Sequence, residues 1–129
     1  MERRLHHLAL GVSDLSRVAA FYREELGLEE VARHADTSGT LRSIWLALGD
    51  GVLMLERTEA PPLHVEGIGR GPFLLALAVT SDERAALEAT LAARGHAIES
   101  RTAHTSYLRD PEGNRVALSD YPLPGVHTA

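Results

Sequence analysis

The order of aliphatic and helical segments predicts an α+β fold made of two βαβββ modules. Three observations predict it. The first is an internal repeat: His7-Leu8-Ala9-Leu10-Gly11-Val12 lies over Leu74-Leu75-Ala76-Leu77-Ala78-Val79, and a helical stretch and a glycine, Gly27 or Gly95, follow at nearly equal distances. A repeat of this length implies a duplicated unit that buries its core by pairing. The second is alternation: one face of each strand carries Leu, Ile and Val, and the other carries small residues. The third is a pair of turn signals, Gly49-Asp50-Gly51 and Asp110-Pro111-Glu112-Gly113-Asn114, each placed before a last strand.

The elements follow in order. Leu5 to Val12 reads as a strand. Asp14 is placed to cap a helix over Arg17 to Leu26, with Val18, Phe21, Tyr22 and Leu26 at helical spacing and Gly27 just past its end. Strands are expected at Glu29 to His34, Leu41 to Leu48 and Val52 to Arg57, with a polar turn at Asp36 to Gly39. Thr58 to Pro72, with Pro61-Pro62 and Gly67, Gly69 and Gly71, has little periodicity and reads as a linker. The second half predicts a strand at Phe73 to Val79, a helix capped by Ser81 or Asp82 and running to Arg94, and strands at His96 to Ser100, His104 to Arg109 and Arg115 to Ser119. The tail, Pro122 to Ala129, reads as loose. The expected organisation is one domain over 1–129, with modules at 5–57 and 73–120 joined by the 58–72 linker.

Composition bounds the function. The chain has 129 residues, 44% of them hydrophobic and 24% charged, which suits one domain with a core of its own. It has no cysteine, so disulfides, thiolate metal sites and cysteine nucleophiles are excluded. The formal net charge of -5 argues against a nucleic-acid backbone as partner. No apolar run is long enough to span a membrane, and the first residues do not read as a signal peptide, so the expected location is the cytoplasm. No serine sits in a nucleophile-elbow pattern and there is no glycine-rich phosphate loop.

The second strand face carries the functional signal. Ala9, Gly11, Ala76, Ala78, Ala117 and Ser119 are small, whereas a flat solvent face would favour charged or β-branched residues. Small side chains suit the concave side of a curled mixed sheet, its helices outside and a ligand cavity within. Trp45 and Tyr107 project from this face by strand parity, at equivalent places in the two repeats, and would suit a flat organic ligand by stacking. They would equally suit a dimer interface or a plug for the cavity.

Two stretches resemble a known family. His7-Leu-Ala-Leu-Gly-Val-Ser-Asp14-Leu with Ala20-Phe21-Tyr22-Arg-Glu-Glu-Leu26-Gly27-Leu28 resembles the opening of the vicinal oxygen chelate superfamily of glyoxalases, bleomycin-resistance proteins and extradiol dioxygenases. Tyr107-Leu-Arg-Asp110-Pro111-Glu112-Gly113-Asn114-Arg-Val-Ala-Leu118 resembles the signature of its second module. The resemblance covers residues 5 to 120 and implies paired βαβββ modules, commonly in a homodimer. Metal-dependent members place ligands at four equivalent positions, which here are His7, Met54, Leu74 and Ala117. Only His7 matches, so the expectation is no cofactor, with a divalent metal as a less favoured alternative. A relocated metal through His7 and Glu56, or His7 as a metal-free base, defines an enzymatic alternative of lyase, isomerase or dioxygenase type. His104 is a further candidate donor from the second module.

The expected function is a small-molecule binding protein of the bleomycin-resistance kind, sequestering a flat aromatic or partly apolar natural product in resistance or biosynthesis. Its expected ligand contacts are His7, Trp45, Met54, Glu56, Leu74, Tyr107, Arg115, Ala117 and Ser119. The alternatives are the enzyme just described and a structural module with no small ligand. Expected partners are a small organic ligand and a second copy of the chain, with neither nucleic acid nor membrane. His6, Phe21, Tyr22, Arg109 and Asp110 read as structural, the last two as turn residues.

Overall fold

Aliphatic alternation that hides one face of a strand needs a helix to cover that face, and each repeat supplies one. In the computed structural model, which describes residues 2–123, the first repeat forms β1 (His7–Val12), α1 (Leu15–Ala20), β2 (Glu30–Ala35), β3 (Leu41–Leu48) and β4 (Gly51–Arg57). The second forms β5 (Leu75–Ala78), α2 (Ser81–Ala93), β6 (Ser100–Arg101), β7 (Thr105–Arg109) and β8 (Arg115–Ser119). The strands make two four-stranded sheets ordered β1-β4-β3-β2 and β5-β8-β7-β6, with no closed barrel. In each sheet the first strand pairs parallel with the last and the remaining pairs are antiparallel. The fold is α+β, as the repeat predicts. Residues 124–129 of the expected loose tail lie outside the described residues.

The chain divides into two compact units, Met1–His64 with Asp110–Gly113, and Val65–Arg109 with Asn114–Ala129. In the first, Val12, Leu15, Val18, Ala19, Ile44, Leu46, Leu53 and Leu55 are buried, so the aliphatic strand face packs under α1. Asp14 caps that helix, accepting from Arg17 N at 3.1 Å. The helix expected to Leu26 runs without a break to Glu25, but it is not α-helical throughout. After Ala20 the chain widens into a π-helical turn, Phe21–Glu25, which buries both aromatic rings edge to face at 5.4 Å. The turn ends at Gly27, whose φ of 75° lets Leu28 N bond Tyr22 O at 3.0 Å.

The turn Asp110–Gly113 completes this unit. The Tyr22 hydroxyl donates to Asp110 Oδ2 at 2.9 Å, and both groups are buried. Glu112 accepts from the backbone N–H groups of Ser13 and Asp14, each at 2.7 Å. Partial burial pushes the Glu112 carboxyl upward, but the donors of Asp14 and Ser13 outweigh it and hold it below the usual glutamate range. A group held low in the folded state stabilises above its unfolded pKa, and that contribution is lost as pH falls through the folded value. Glu112→Gln should therefore cost about 1 kcal/mol at neutral pH. The difference from the parent should shrink as pH falls below the ordinary glutamate range and the carboxyl takes up its proton. Urea midpoints across pH check this; a constant difference would refute the ionic account.

In the second unit, Leu91, Leu108, Val116 and Leu118 form the buried aliphatic cluster. Beneath α2 the packing is also polar. Arg84 donates to Ser106 Oγ at 2.7 Å, Ala103 O at 2.9 Å and Thr102 O at 3.0 Å, while Ser106 donates to Glu88. The cap of α2 is neither Ser81 nor Asp82 but Thr80, which accepts from Glu83 N at 3.1 Å while Glu83 accepts from Thr80 N at 2.9 Å. β6 is two residues, far shorter than the expected strand from His96, although Glu99 N still bonds Tyr107 O at 2.7 Å.

Candidate functional site

The face turned away from α1 is built by cross-strand rows. In one row Ala32, Trp45, Met54 and Ala9 lie side by side across β2, β3, β4 and β1. In the next, His34, Ser43, Glu56 and Gly11 do the same. Trp45, Met54, Glu56 and His34 are half-buried, while Ala9 and Gly11 are exposed. The indole is held at its polar edge: Trp45 Nε1 donates to Ser43 Oγ at 2.7 Å. The His34 ring lies 4.6 Å from it, tilted by 58°. Ser43 in turn donates to Glu56 Oε1 at 3.5 Å.

His7 stands apart from that group. It pairs with Val52, while Glu56 pairs with Gly11, four residues further along β1. That offset is about 13 Å at strand spacing, so the fold does not bring His7 and Glu56 together around one ion. His7 is exposed, and its Nδ1 lies 2.8 Å from Nδ1 of His6, so one ring donates and the other accepts.

The second unit repeats the arrangement with other chemistry. Tyr107 pairs with Ala117 and Ala117 with Ala76, matching the register of Trp45 with Met54 and Met54 with Ala9. The Arg115 guanidinium sits 4.5 Å from the centre of the Tyr107 ring. Ser119 Oγ bonds Thr105 Oγ1 at 2.8 Å, Ala117 is buried, and Leu74 is half-buried just before β5. His104 is engaged within this unit, 2.7 Å from Asp120, whose carboxyl that contact holds below the usual range. Arg109 pairs with Glu99 at 2.8 Å and donates to Val65 O at 2.6 Å.

Two members of the first face, His34 and Ser43, were not singled out by residue type. Ser43 shares the parity of Trp45 two positions away, which was legible. His34 needed the register of β2 on β3, which two irregularities shift.

Comparison with known proteins agrees with this architecture. Residues 4–118 match the family model described as Glyoxalase/Bleomycin resistance protein/Dioxygenase superfamily. No curated protein matches the chain in sequence. Among solved structures, a mutant of the fosfomycin resistance protein FosX from Listeria monocytogenes, complexed with Mn(II) and 1S,2S-dihydroxypropylphosphonic acid, superposes with a TM-score of 0.77. It is 18% identical over 95% of this chain and 96% of that one. Lactoylglutathione lyase from Agrobacterium tumefaciens gives 0.72 at 22% identity over 97% and 98%. A glyoxalase/dioxygenase from Nostoc punctiforme gives 0.76 at 23% identity over 90% and 89%.

The expectation of no cofactor is corrected by these neighbours, because the same fold holds Mn(II) in the Listeria protein. The four positions that the sequence resemblance implies supply few donors for a hard cation in this chain. Of His7, Met54, Leu74 and Ala117, only His7 offers a nitrogen, and a thioether suits soft metals rather than Mn(II). Among the described residues no three His, Cys, Asp or Glu side chains are grouped to hold an ion. No chemical step is therefore assigned to a metal. The duplicated βαβββ sheets and the match over residues 4–118 lead to one conclusion: the chain belongs to the Glyoxalase/Bleomycin resistance protein/Dioxygenase superfamily.

Proposed function

We propose that this chain is a cytoplasmic, homodimeric binding protein that sequesters a flat, partly apolar organic molecule against the sheet faces opposite the helices. The observation that carries the reading is the state of Trp45. Its N–H is satisfied by Ser43, its ring is braced by His34, and small or flexible side chains, Ala9, Ala32 and Met54, flank it in its own row. A half-buried indole whose polar edge is already bonded offers its apolar ring surface to a partner at little entropic cost. Tyr107, bordered by Ala117 and Ala76 at the matching register, supports the same reading in the second unit. His7, Glu56, Leu74, Arg115 and Ser119 supply polar and apolar contacts at the margins of these faces.

Trp45→Ala should weaken binding of flat aromatic ligands by more than tenfold, about 1.4 kcal/mol or more, and leave the domain folded. The probes are fused-ring aromatic compounds, followed by calorimetry and by the fluorescence of Trp45, the one tryptophan of the chain. Equal affinity of the folded variant and the parent would refute stacking on Trp45.

A further inference from the structure

Glu56 has no cationic partner among the described residues. Its contact within the unit is the 3.5 Å hydrogen bond from Ser43, and it is half-buried beside the Trp45 ring system. The arginine next in sequence, Arg57, is engaged elsewhere, 3.4 Å from Asp36. A carboxylate with no counter-charge of its own is an open acceptor for a cation brought by a ligand. The adjoining indole favours the same charge, because its ring face is the negative end of a quadrupole. His34 adds a second polar group to the row, with Nε2 buried and lacking a hydrogen-bond partner.

We infer that Glu56, Trp45, Ser43 and His34 form a subsite for an organic cation, a protonated amine or a ring nitrogen bearing positive charge, carried on a flat aromatic frame. The inference rests on the proposed stacking at Trp45 and adds the charge of the ligand to it. Ser43 is the link between the two recognition elements: it accepts from the indole and donates to the carboxylate, so it orients the ring and the charge together. Neutral rings should bind the indole alone, and anionic rings should be excluded by Glu56.

The test compares three probes with one ring frame: 9-aminoacridine, cationic at neutral pH; acridine, largely neutral; and acridine-9-carboxylate, anionic. Calorimetry should show 9-aminoacridine binding at least tenfold more tightly than acridine, with the carboxylate weakest. Glu56→Gln should remove most of that preference and leave acridine within twofold. Glu59→Gln, which removes an exposed charge just beyond β4, should change nothing, separating the subsite from attraction by the net charge of -5. Equal binding of acridine and 9-aminoacridine, with Trp45→Ala still weakening both, overturns the cation subsite and spares the stacking. Equal losses from Glu56→Gln and Glu59→Gln overturn it as well. Binding of none of the probes overturns both readings.

Discussion

Tyr22→Phe should lower the stability of the fold by about 2 kcal/mol, within the range for removing a hydrogen bond to a buried charge. Tyr22 is completely buried, and its hydroxyl reaches Asp110 Oδ2 at 2.9 Å. Burial and then the Asp110 charge push the phenol far above its ordinary range, so the hydroxyl remains the donor throughout the working pH range. Phenylalanine fills nearly the same volume, so cavity terms are small and the loss falls on the buried carboxylate. For a chain of this size the melting temperature should drop by roughly 8 °C. A double-mutant cycle with Asp110→Ala, which removes the acceptor, should return a coupling of about 1–2 kcal/mol, because the two groups share one bond. Additive losses would mean that the bond contributes nothing and that Asp110 acts only through its turn.

Gly51→Ala should cost about 2–3 kcal/mol, comparable to overpacking a core. The residue is buried where the chain enters β4, and a Cβ there would stand 2.5 Å from Leu5 O and 2.9 Å from His6 O. Both are backbone atoms, so no side chain can turn away. The N-terminal segment would have to lift from β4 and break the 3.1 Å bond from Val52 N to His6 O. Amide exchange at Val52 should therefore speed up more than exchange at Leu55 in the middle of the strand. Uniform acceleration with an unchanged Val52-to-Leu55 ratio would contradict a local clash. The substitution would also shift His7, which directly follows the displaced segment.

The neighbouring Gly49 has a different role. It begins the two-residue connection between Leu48 and Gly51 with a φ of 58°, and Asp50 has no positive φ, the pattern of a type II′ turn. The sequence pointed to a hairpin at Gly49-Asp50-Gly51, but the turn itself needs only the first glycine. Gly51 is required by a strand that arrives from the start of the chain, which no local pattern records.

Local and repeated features are the ones legible along the chain. Alternation over Leu41–Leu48 and Arg115–Ser119 identified both strands with their observed limits. It also placed Ile44 and Leu46 toward the helix, because a period of two puts alternate side chains on opposite faces. The repeat of His7–Val12 in Leu74–Val79 identified the duplicated fold. The Thr80-to-Glu83 spacing was equally local, and assigning the cap to Ser81 or Asp82 overlooked a capping box written in the chain. The remaining features arise from contacts between distant segments. The widening after Ala20, the partnership of Tyr22 with a residue 88 positions away and the hold of Glu112 on Ser13 and Asp14 depend on segments that meet only after folding. The same holds for the site. Parity put Trp45 and Glu56 on one face, but the register of three strands joined them through Ser43, set His34 against the indole and carried His7 about 13 Å from Glu56. A strand's pattern specifies which way its side chains point; only pairing with other strands specifies which side chains they meet.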